Sequence, residues 1–253
     1  MTLSVDLNAD MGESFGAWKM GDDAALLDIV TSANIACGFH AGDPDVMFDT
    51  MRRAVACNVG IGAHPGFDDL AGFGRHRRHV PHASLANQVR YQVGAALAMA
   101  RAAGGAVRHL KLHGALANMA SEDMELARVC YDAALSVAPD LRIMVLAATA
   151  QQQAAEALGC AWVGEIFADR AYDDDATLVD RSQPGAVIHD PRIAGPRIAD
   201  MVKKGAIVTE SGKEIPTRID TICLHGDTAT AVQIAQSVRD TLQAAGVTVQ
   251  TFD

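Results

Sequence analysis

The sequence predicts an α/β fold, a parallel (β/α) barrel of seven strands that forms a single domain over residues 1–253. Short apolar runs rich in β-branched residues alternate with Ala-rich segments whose apolar residues return every three or four positions. This is the pattern of strands and helices following one another. A length of 253 residues is typical of one such barrel. No linker rich in Pro, Gly or Ser divides the chain, so we expect one domain.

An open, doubly wound sheet would show the same alternation of strands and helices. The Gly-rich segment after the first strand distinguishes the two folds. Asp10–Gly16 does not match the dinucleotide-binding pattern G-x-G-x-x-G, and no helix follows it directly. The closed barrel is therefore favoured.

The positions of the elements follow from the same periodicities. We predict strands at Leu3–Asn8, Ser32–Cys37, Gly60–Ala63, Val107–Leu112, Arg142–Leu146, Ala161–Ile166 and Ile219–Leu224. We predict helices at Asp22–Thr31, Asp45–Cys57, Ser84–Ala103, Glu122–Val137, Thr149–Leu158 and Thr228–Ala245. Two alternating runs flank the turn pair Ser211-Gly212, which indicates an inserted β-hairpin at Ala206–Pro216.

Charge and composition exclude several classes of partner. The chain has 21 Lys and Arg against 31 Asp and Glu, a net charge of −10, so we expect no nucleic-acid partner. The basic run Arg75–His79 is interpreted as a solvated loop that could also hold an anionic group. No targeting segment or membrane-spanning run is present, so we expect a cytoplasmic protein without membrane association. The five cysteines form no CxxC pair and are expected to be reduced, packed thiols.

Polar residues collect at the carboxyl ends of the predicted strands, which is where α/β barrels place their chemistry. The fifth strand is the exception, because it ends in Ala147-Ala148-Thr149. A single His beside a Gly is usually structural, but four at different strand ends would converge on one pocket if the barrel closes. The strand-end residues are Asp6, Asn8, Asp10, Glu13, His40, His64, Lys111, His113, Glu165, Asp169, Arg170, His225 and Asp227.

The first strand places Asp6, Asn8 and Asp10 on one face, and in a barrel that face is the interior. Buried carboxylates are costly unless they are paired, and Lys111 is a candidate counter-ion. Such a network can bring a neighbouring pKa into the range that acid–base catalysis uses. A buried ion pair with a purely structural role remains the alternative, above all for Asp6.

A metal site is a further open alternative. The sequence contains no H-x-x-x-H or H-E-x-x-H spacing, so the ligands would have to come from separate strands. The candidate ligands for a divalent ion are His64 and His113, together with Asp10 or Glu13.

Seven long, ordered motifs resemble those of the LamB/YcsF family, and the resemblance covers essentially the whole chain. They are Asp6–Gly16 (DLNADMGESFG), Asn34–Pro44 (NIACGFHAGDP), Gly62–Phe67 (GAHPGF), Gly72–Arg75 (GFGR), Lys111–Leu116 (KLHGAL), Glu165–Tyr172 (EIFADRAY) and Leu224–Asp227 (LHGD).

The resemblance implies a seven-stranded barrel of the glycoside hydrolase and deacetylase type. It also implies a role as the A subunit of an ATP-dependent 5-oxoprolinase, which opens 5-oxo-L-proline to L-glutamate and cleaves ATP to ADP and phosphate. The implied partners are subunits B and C, and ATP would be a co-substrate bound by this chain or by one of them. The related deacetylases bind a metal through one Asp and two His. Here Asn8-Ala9-Asp10 is followed by Met11, so one position of their acidic pair is lost.

For the implied reaction, Asp10 and Glu13 are the expected acid–base or water-orienting groups, and Lys111 would tune their pKa. His64 and His113 would polarise the carbonyl group or its phosphorylated form. Either Arg75 or Arg170 would pair with the substrate carboxylate. The other expected substrate-binding residues are Asp6, Asn8, His40, Glu165, Asp169, His225 and Asp227.

Two further functions remain open. The chain could act alone as a metal-dependent amidohydrolase or carbohydrate deacetylase, which the same fold permits. It could also be a non-catalytic subunit that binds the lactam for subunits B and C, since it has no recognisable ATP-binding loop. The segments Phe67–His82 and Phe167–Pro191, rich in Gly and charge, are candidate lids in either case.

Overall fold

The computed structural model describes residues 3–226 and 230–252, and within them seven parallel strands close into a barrel. The strand β1 pairs with β2 on one side and with β9 on the other, which closes the sheet. The seven-stranded parallel barrel expected from the sequence is confirmed. The barrel strands are β1 (Ser4–Met11), β2 (Ser32–Ala36), β3 (Gly60–His64), β4 (Val107–Lys111), β5 (Arg142–Leu146), β6 (Trp162–Phe167) and β9 (Thr221–Leu224).

The inserted hairpin is also confirmed. It consists of β7 (Ala206–Val208) and β8 (Glu214–Pro216), which pair antiparallel outside the barrel. Gly212 in the turn has φ +85°, a conformation that L side chains rarely adopt. A further short strand, β10 (Thr248–Val249), extends the amino end of β1 and was not expected from the sequence.

The helices that surround the barrel differ from the prediction at several points. The first helix ends at Leu27. The helix Gly114–Glu122 was not predicted, and the predicted helix Glu122–Val137 corresponds to Met124–Leu135. These two helices divide at Asp123, whose carboxylate caps the second by accepting hydrogen bonds from the backbone N–H groups of Glu125 and Leu126. The helices are α1 (Asp23–Leu27), α2 (Pro44–Ala56), α3 (His82–Ala102), α4 (Gly114–Glu122), α5 (Met124–Leu135), α6 (Ala150–Leu158), α7 (Pro191–Lys204) and α8 (Ala231–Ala244).

The helix α7 was missed because two prolines interrupt its sequence pattern. Pro191 stands in its first turn, where the missing N–H costs nothing, and Asp190 caps that turn. Pro196 lies inside the helix. Gly195 lets α7 approach α8 closely, since a Cβ there would lie 2.6 Å from Thr241 Oγ1. The start predicted for α8, at Thr228, lies outside the described residues.

The alternation along β1 separates an apolar face from a polar one. Leu7 and Met11 are fully buried in the hydrophobic core that the strands share with the helices. Asp6, Asn8 and Asp10 are equally buried but face the inside of the barrel, as the sequence predicts. The barrel interior is therefore a stack of polar side chains whose upper end opens at the carboxyl ends of the strands.

One glycine is required by this interior packing. A Cβ at Gly62 would lie 2.0 Å from His109 Nε2, so only glycine leaves room for the imidazole ring. That nitrogen lies 2.7 Å from Asn34 Oδ1, and burial lowers the pKa of His109 to about 3. His109 is consequently a neutral, structural residue inside the barrel, and the sequence analysis did not single it out.

The five cysteines all lie in the described residues, and none forms a disulfide. Cys37, Cys130 and Cys223 are buried, as expected. The expectation of packed thiols is wrong for Cys57, which is exposed as the residue that caps the carboxyl end of α2. Among the described helices, none combines the length and the apolar composition that crossing a bilayer requires.

Candidate active site at the carboxyl end of the barrel

A pocket of about 490 Å³ opens at the carboxyl ends of the barrel strands. Pockets that take small ligands fall in this size range, and α/β barrels carry their active sites at this end. Ionisable residues dominate the polar part of the lining. They are Asp10, Glu13, Arg75, Arg77, Lys111, His113, Glu122, Arg170, Asp173, Asp180, Arg181 and His225.

Asp10, the last polar residue of β1, lies at the floor of the pocket. Its Oδ1 is 3.0 Å from Lys111 Nζ and accepts a 2.9 Å hydrogen bond from Asn34 Nδ2. Its Oδ2 is 3.3 Å from His64 Nε2. Burial alone would raise the pKa of Asp10, but His64 and Lys111 hold that pKa well below its ordinary value. Asp10 is therefore a fixed negative charge in the pocket.

Lys111 sits between two carboxylates in the barrel interior. Its Nζ is 2.9 Å from Glu165 Oε1 as well as 3.0 Å from Asp10, and it donates a 2.9 Å hydrogen bond to Cys223 Sγ. Burial opposes its charge, yet the nearby negative groups raise the pKa of Lys111 well above its usual value. Burial raises the pKa of Glu165, partly offset by Lys111. The ammonium is thus held permanently charged beneath the pocket.

A lower polar layer lies beneath this one and does not reach the pocket. Asp6 accepts hydrogen bonds from the hydroxyl groups of Thr31 (2.6 Å), Ser32 (2.7 Å) and Thr221. Burial raises the pKa of Asp6 to about 6 despite these donors. Asn8 contacts Thr221 at 2.8 Å, and its Oδ1 accepts from Lys111 Nζ at 3.3 Å. Both residues support the floor from below.

Three histidines from different strand ends meet beside Asp10. His113 Nδ1 lies 3.0 Å from His64 Nε2, so two residues 49 positions apart in the chain are in direct contact. His113 Nε2 lies 2.9 Å from the carbonyl of Phe73, and His64 Nδ1 lies 2.8 Å from the carbonyl of Lys111. A carbonyl oxygen only accepts, so each of these two ring nitrogens must carry its proton. When both rings are neutral, the facing nitrogens are then each left with a lone pair, whereas a second proton on His64 Nε2 would be donated to Asp10 or to His113.

His40 completes this group behind His113. The two rings are parallel, with centroids 3.6 Å apart. Both ring nitrogens of His40 are buried without a hydrogen-bond partner among the described residues, and its Nε2 lies 3.6 Å from Glu13 Oε1. Burial lowers the pKa of His40 and of His113 well below the ordinary value. Glu13 is also 3.6 Å from His113 Nδ1.

On the opposite wall of the pocket, His225 and Asp169 form a dyad. His225 Nδ1 lies 2.8 Å from Asp169 Oδ2. Burial raises the pKa of the Asp169 carboxyl group, but the nearby His225 outweighs burial and lowers that pKa below its ordinary value. His225 Nε2 receives a 3.3 Å contact from Arg181. Both members of the dyad were expected at the site from the sequence, but their pairing was not, because it depends on the register of β6 and β9.

Arginines surround the entrance of the pocket. Arg75 lies with its guanidinium carbon 5.0 Å from the Phe73 ring centroid, whereas buried Arg170 donates hydrogen bonds to the carbonyls of Val179 and Ala186. Burial lowers the pKa of Arg170 to about 10. Arg77 and Arg181 also line the pocket and were missed. Arg77 belongs to the basic run Arg75–His79, which was interpreted as a solvated loop that could also hold an anionic group. The cluster of basic residues in that run was the feature that could have identified Arg77.

The structure brings most of the selected residues to one place. Asp10, Glu13, Arg75, Lys111, His113, Arg170 and His225 line the pocket, and His40, His64, Glu165 and Asp169 stand directly behind them. Asp6 and Asn8 lie one layer lower, and Asp227 falls outside the described residues. The segments Phe67–His82 and Phe167–Pro191 contribute Phe73, Arg75 and several residues between Arg170 and Gln183 to the walls.

The fold resembles that of deacetylases at low sequence identity. A family 4 carbohydrate esterase from Streptomyces lividans, solved with acetate, matches with a TM-score of 0.51 and 11% identity, covering 99% of this chain and 93% of that one. Identity this low supports the barrel architecture alone.

Closer relatives identify the family. The sequence model of the LamB/YcsF family matches residues 5–253. A Ruegeria pomeroyi protein that is named as the A subunit of 5-oxoprolinase is 70% identical over 98% of both chains. The crystal structure of a lactam utilization protein from Thermus thermophilus matches with a TM-score of 0.92 and 41% identity, covering 99% of this chain and 100% of that one. The chain therefore belongs to the LamB/YcsF family.

Proposed function

We propose that this chain is the A subunit of an ATP-dependent 5-oxoprolinase, which hydrolyses 5-oxo-L-proline to L-glutamate while ATP is cleaved to ADP and phosphate. Subunits B and C are the proposed partners. The observation that carries the proposal is the 70% identity, over 98% of both chains, to a protein that is named as the A subunit of 5-oxoprolinase. The pocket supports it chemically, because four arginines line it and can bind the carboxylate of a small anionic substrate.

The need for ATP follows from the chemistry of the substrate. A five-membered lactam is an unstrained, resonance-stabilised amide, so water attacks its carbonyl carbon slowly. Transfer of the γ-phosphoryl group to the carbonyl oxygen removes that resonance. Water can then add to the carbon, the C–N bond breaks, and the nitrogen leaves as an amine. The resulting acyl phosphate takes up a second water to give glutamate and phosphate.

The arginines at the entrance are the proposed anion-binding groups. The substrate carries a carboxylate, and its activated form carries a phosphoryl group as well, so guanidinium groups that bind oxyanions suit both. Arg75 and Arg170 both line the pocket, and either guanidinium is a candidate partner of the substrate carboxylate. Arg181 and Arg77 also line the pocket and are the candidates for the phosphoryl oxygens, for which Arg77 would have to leave its ion pair with Glu122.

The dyad on the opposite wall is the proposed proton carrier. Asp169 holds the Nδ1 proton of His225, which leaves a lone pair on Nε2 at the pocket. That lone pair can take a proton from the attacking water and return it to the ring nitrogen as it leaves. Arg181 contacts Nε2 at 3.3 Å and must move for this to happen.

The proposed water-binding groups are within reach of the dyad, since a carboxylate oxygen of Asp10 lies within 4.8 Å of a ring nitrogen of His225. Asp10 and Glu13 are carboxylates at the floor of the pocket and can orient the attacking water. His113 and His64 stand beside them, and a proton or a cation held between their facing nitrogens would let this pair polarise the carbonyl oxygen. Lys111 keeps Asp10 ionised.

The test is an assay of 5-oxoproline-dependent glutamate formation and phosphate release. The chain is measured alone, with B and C together, and with each of them omitted. We expect stoichiometric glutamate and phosphate only from the complete set. Glutamate formation by B and C without this chain would refute the proposal. ATP-independent amide hydrolysis by this chain alone would point to a stand-alone amidohydrolase instead.

A further inference from the structure

We propose that Glu13, His64 and His113 bind a divalent first-row transition-metal ion, and that Zn²⁺ fits these donors best. The three residues come from the ends of β1, β3 and β4, and their donor atoms lie within 4.8 Å of one another. Two imidazole nitrogens and one carboxylate oxygen are ligands that Zn²⁺ commonly takes.

The first reason is the arrangement of protons on the two imidazole rings. His113 Nε2 and His64 Nδ1 each point at a backbone carbonyl and must donate to it. The remaining nitrogens, His113 Nδ1 and His64 Nε2, face each other at 3.0 Å with a lone pair each. Two lone pairs repel at that distance unless a cation or an extra proton lies between them. Histidine ligands of metals donate their second N–H to a carbonyl or carboxylate in just this manner.

The second reason is the spacing of the donor atoms. In a tetrahedral zinc site with bonds of about 2.0–2.1 Å, neighbouring donor atoms are about 3.3 Å apart. His113 Nδ1 lies 3.0 Å from His64 Nε2 and 3.6 Å from Glu13 Oε1. These separations bracket the tetrahedral value, so an ion could be accommodated with small side-chain movements.

The third reason is the charge around the pair of rings. Asp10 Oδ2 lies 3.3 Å from His64 Nε2, which adds a second carboxylate beside the donor group. Lys111 contacts the other oxygen of Asp10, at 3.0 Å, so Oδ2 remains directed at His64. Two carboxylates next to two imidazole nitrogens favour a divalent cation.

His40 is excluded as a ligand in the present arrangement. A metal ion lies in the plane of each imidazole that binds it. The rings of His40 and His113 are stacked at 3.6 Å and are within 4° of parallel, so no ion can lie in both planes. The site therefore offers three protein ligands and an open position, which is the pattern of catalytic rather than structural zinc sites. Glu13 and His113 line the pocket, so the open position faces the substrate.

A bound ion would polarise a carbonyl oxygen or lower the pKa of a bound water molecule. Only this use of the ion rests on the proposed function. Binding itself depends on the geometry alone and is measured without substrate, ATP or partner subunits, so the two proposals can fail separately.

The experiment is a calorimetric titration of the purified, chelator-treated full chain with Zn²⁺ at neutral pH. We expect one ion per chain. Glu13→Gln, His64→Gln and His113→Gln should each weaken binding by more than the roughly 10–100-fold that changes to outer partners of a metal ligand cost. Matched controls are His79→Ala and Glu156→Gln, exposed residues outside the pocket, which should bind as the unchanged chain does.

A second set of measurements distinguishes the loss of a metal ligand from the loss of the folded structure. Circular dichroism establishes that each variant is folded, and Glu13→Gln changes the ligand nearest the pocket with the least disturbance of the barrel. Titration with Co²⁺ should produce visible absorption of tetrahedral intensity in the unchanged chain and not in the folded ligand variants. Absence of Zn²⁺ binding to the unchanged chain, or equal binding by the folded variants, would overturn the proposal and leave a shared proton between the two rings.

Discussion

Lys111 Nζ lies 2.9 Å from Glu165 Oε1 in the interior of the barrel, where both side chains are almost completely buried. The same ammonium is 3.0 Å from Asp10, so one positive charge compensates two carboxylates. Removing one partner of a buried ion pair leaves an uncompensated charge and costs about 3–5 kcal/mol. We expect Lys111→Met to lower the free energy of unfolding by an amount in this range, measured by urea denaturation.

The matched control is the double variant Lys111→Met with Glu165→Gln. Neutralising Glu165 removes one of the two carboxylates left without a partner, so this variant should recover a large part of the lost stability. A loss below about 1 kcal/mol for the single variant would show that water reaches the barrel interior and replaces the ammonium. Equal losses in the single and double variants would contradict the coupling.

Asp6 makes the stability depend on pH in a specific window. Its pKa is about 6 in the folded chain against an ordinary value of 3.8, because burial disfavours its charge. The folded state therefore holds the proton more tightly. This contribution is fully present below pH 3.8 and is lost as the pH rises through about 6. The loss amounts to about 3 kcal/mol.

Asp6→Asn removes this titration while it keeps the shape of the side chain. We expect the stability of the variant, relative to the unchanged chain, to rise as the pH increases from about 4 to about 6 and then to level off. Urea denaturation of both proteins at several pH values measures the difference, in which the other titrating groups largely cancel. A difference that stays constant with pH would contradict the raised pKa.

Two glycines provide a matched pair of substitutions. Gly62→Ala would place a Cβ 2.0 Å from His109 Nε2 and force that buried ring out of its contact with Asn34. Overpacking and a broken buried hydrogen bond together should cost several kcal/mol, about 2–5, of unfolding free energy. Gly94 is exposed inside α3 with nothing near its Cβ position, so Gly94→Ala should instead stabilise by about 0.5–1 kcal/mol. Thermal unfolding of both variants would reveal the opposite signs, and destabilisation of equal size would contradict the packing argument.

The barrel could be predicted because its signals are local. Most barrel strands are short runs rich in apolar residues, and in β1 the spacing of two between Asp6, Asn8 and Asp10 indicated the inward face. The helix α7 escaped prediction because Pro196 breaks the local pattern while packing against α8 maintains the helix. Local patterns therefore predicted the elements that do not depend on distant parts of the chain.

Local patterns were also insufficient to predict the contacts within the candidate site. Residues at strand ends could be selected from the sequence, but their partners depend on strand register and on loops. The contact of His64 with His113 and the sharing of Lys111 by Asp10 and Glu165 join residues from different strands. Arg181 lies on a long segment whose path over the pocket no periodicity describes.

The dyad of Asp169 and His225 gives the sharpest test of the proposed chemistry. Asp169→Asn preserves size but no longer holds His225 in the tautomer whose Nε2 lone pair faces the pocket. Positioned acid–base groups contribute about 10²–10⁴-fold to rates. We expect kcat for 5-oxoproline hydrolysis by the assembled complex to fall within that range, with KM changed only a few-fold because Asp169 does not line the pocket. Asp132→Asn, on the exposed surface of α5, is the control and should retain full activity. If Asp169→Asn kept kcat and raised KM instead, the dyad would be a substrate-binding device, and the proton carrier would have to be sought among Glu13 and the histidines of the opposite wall.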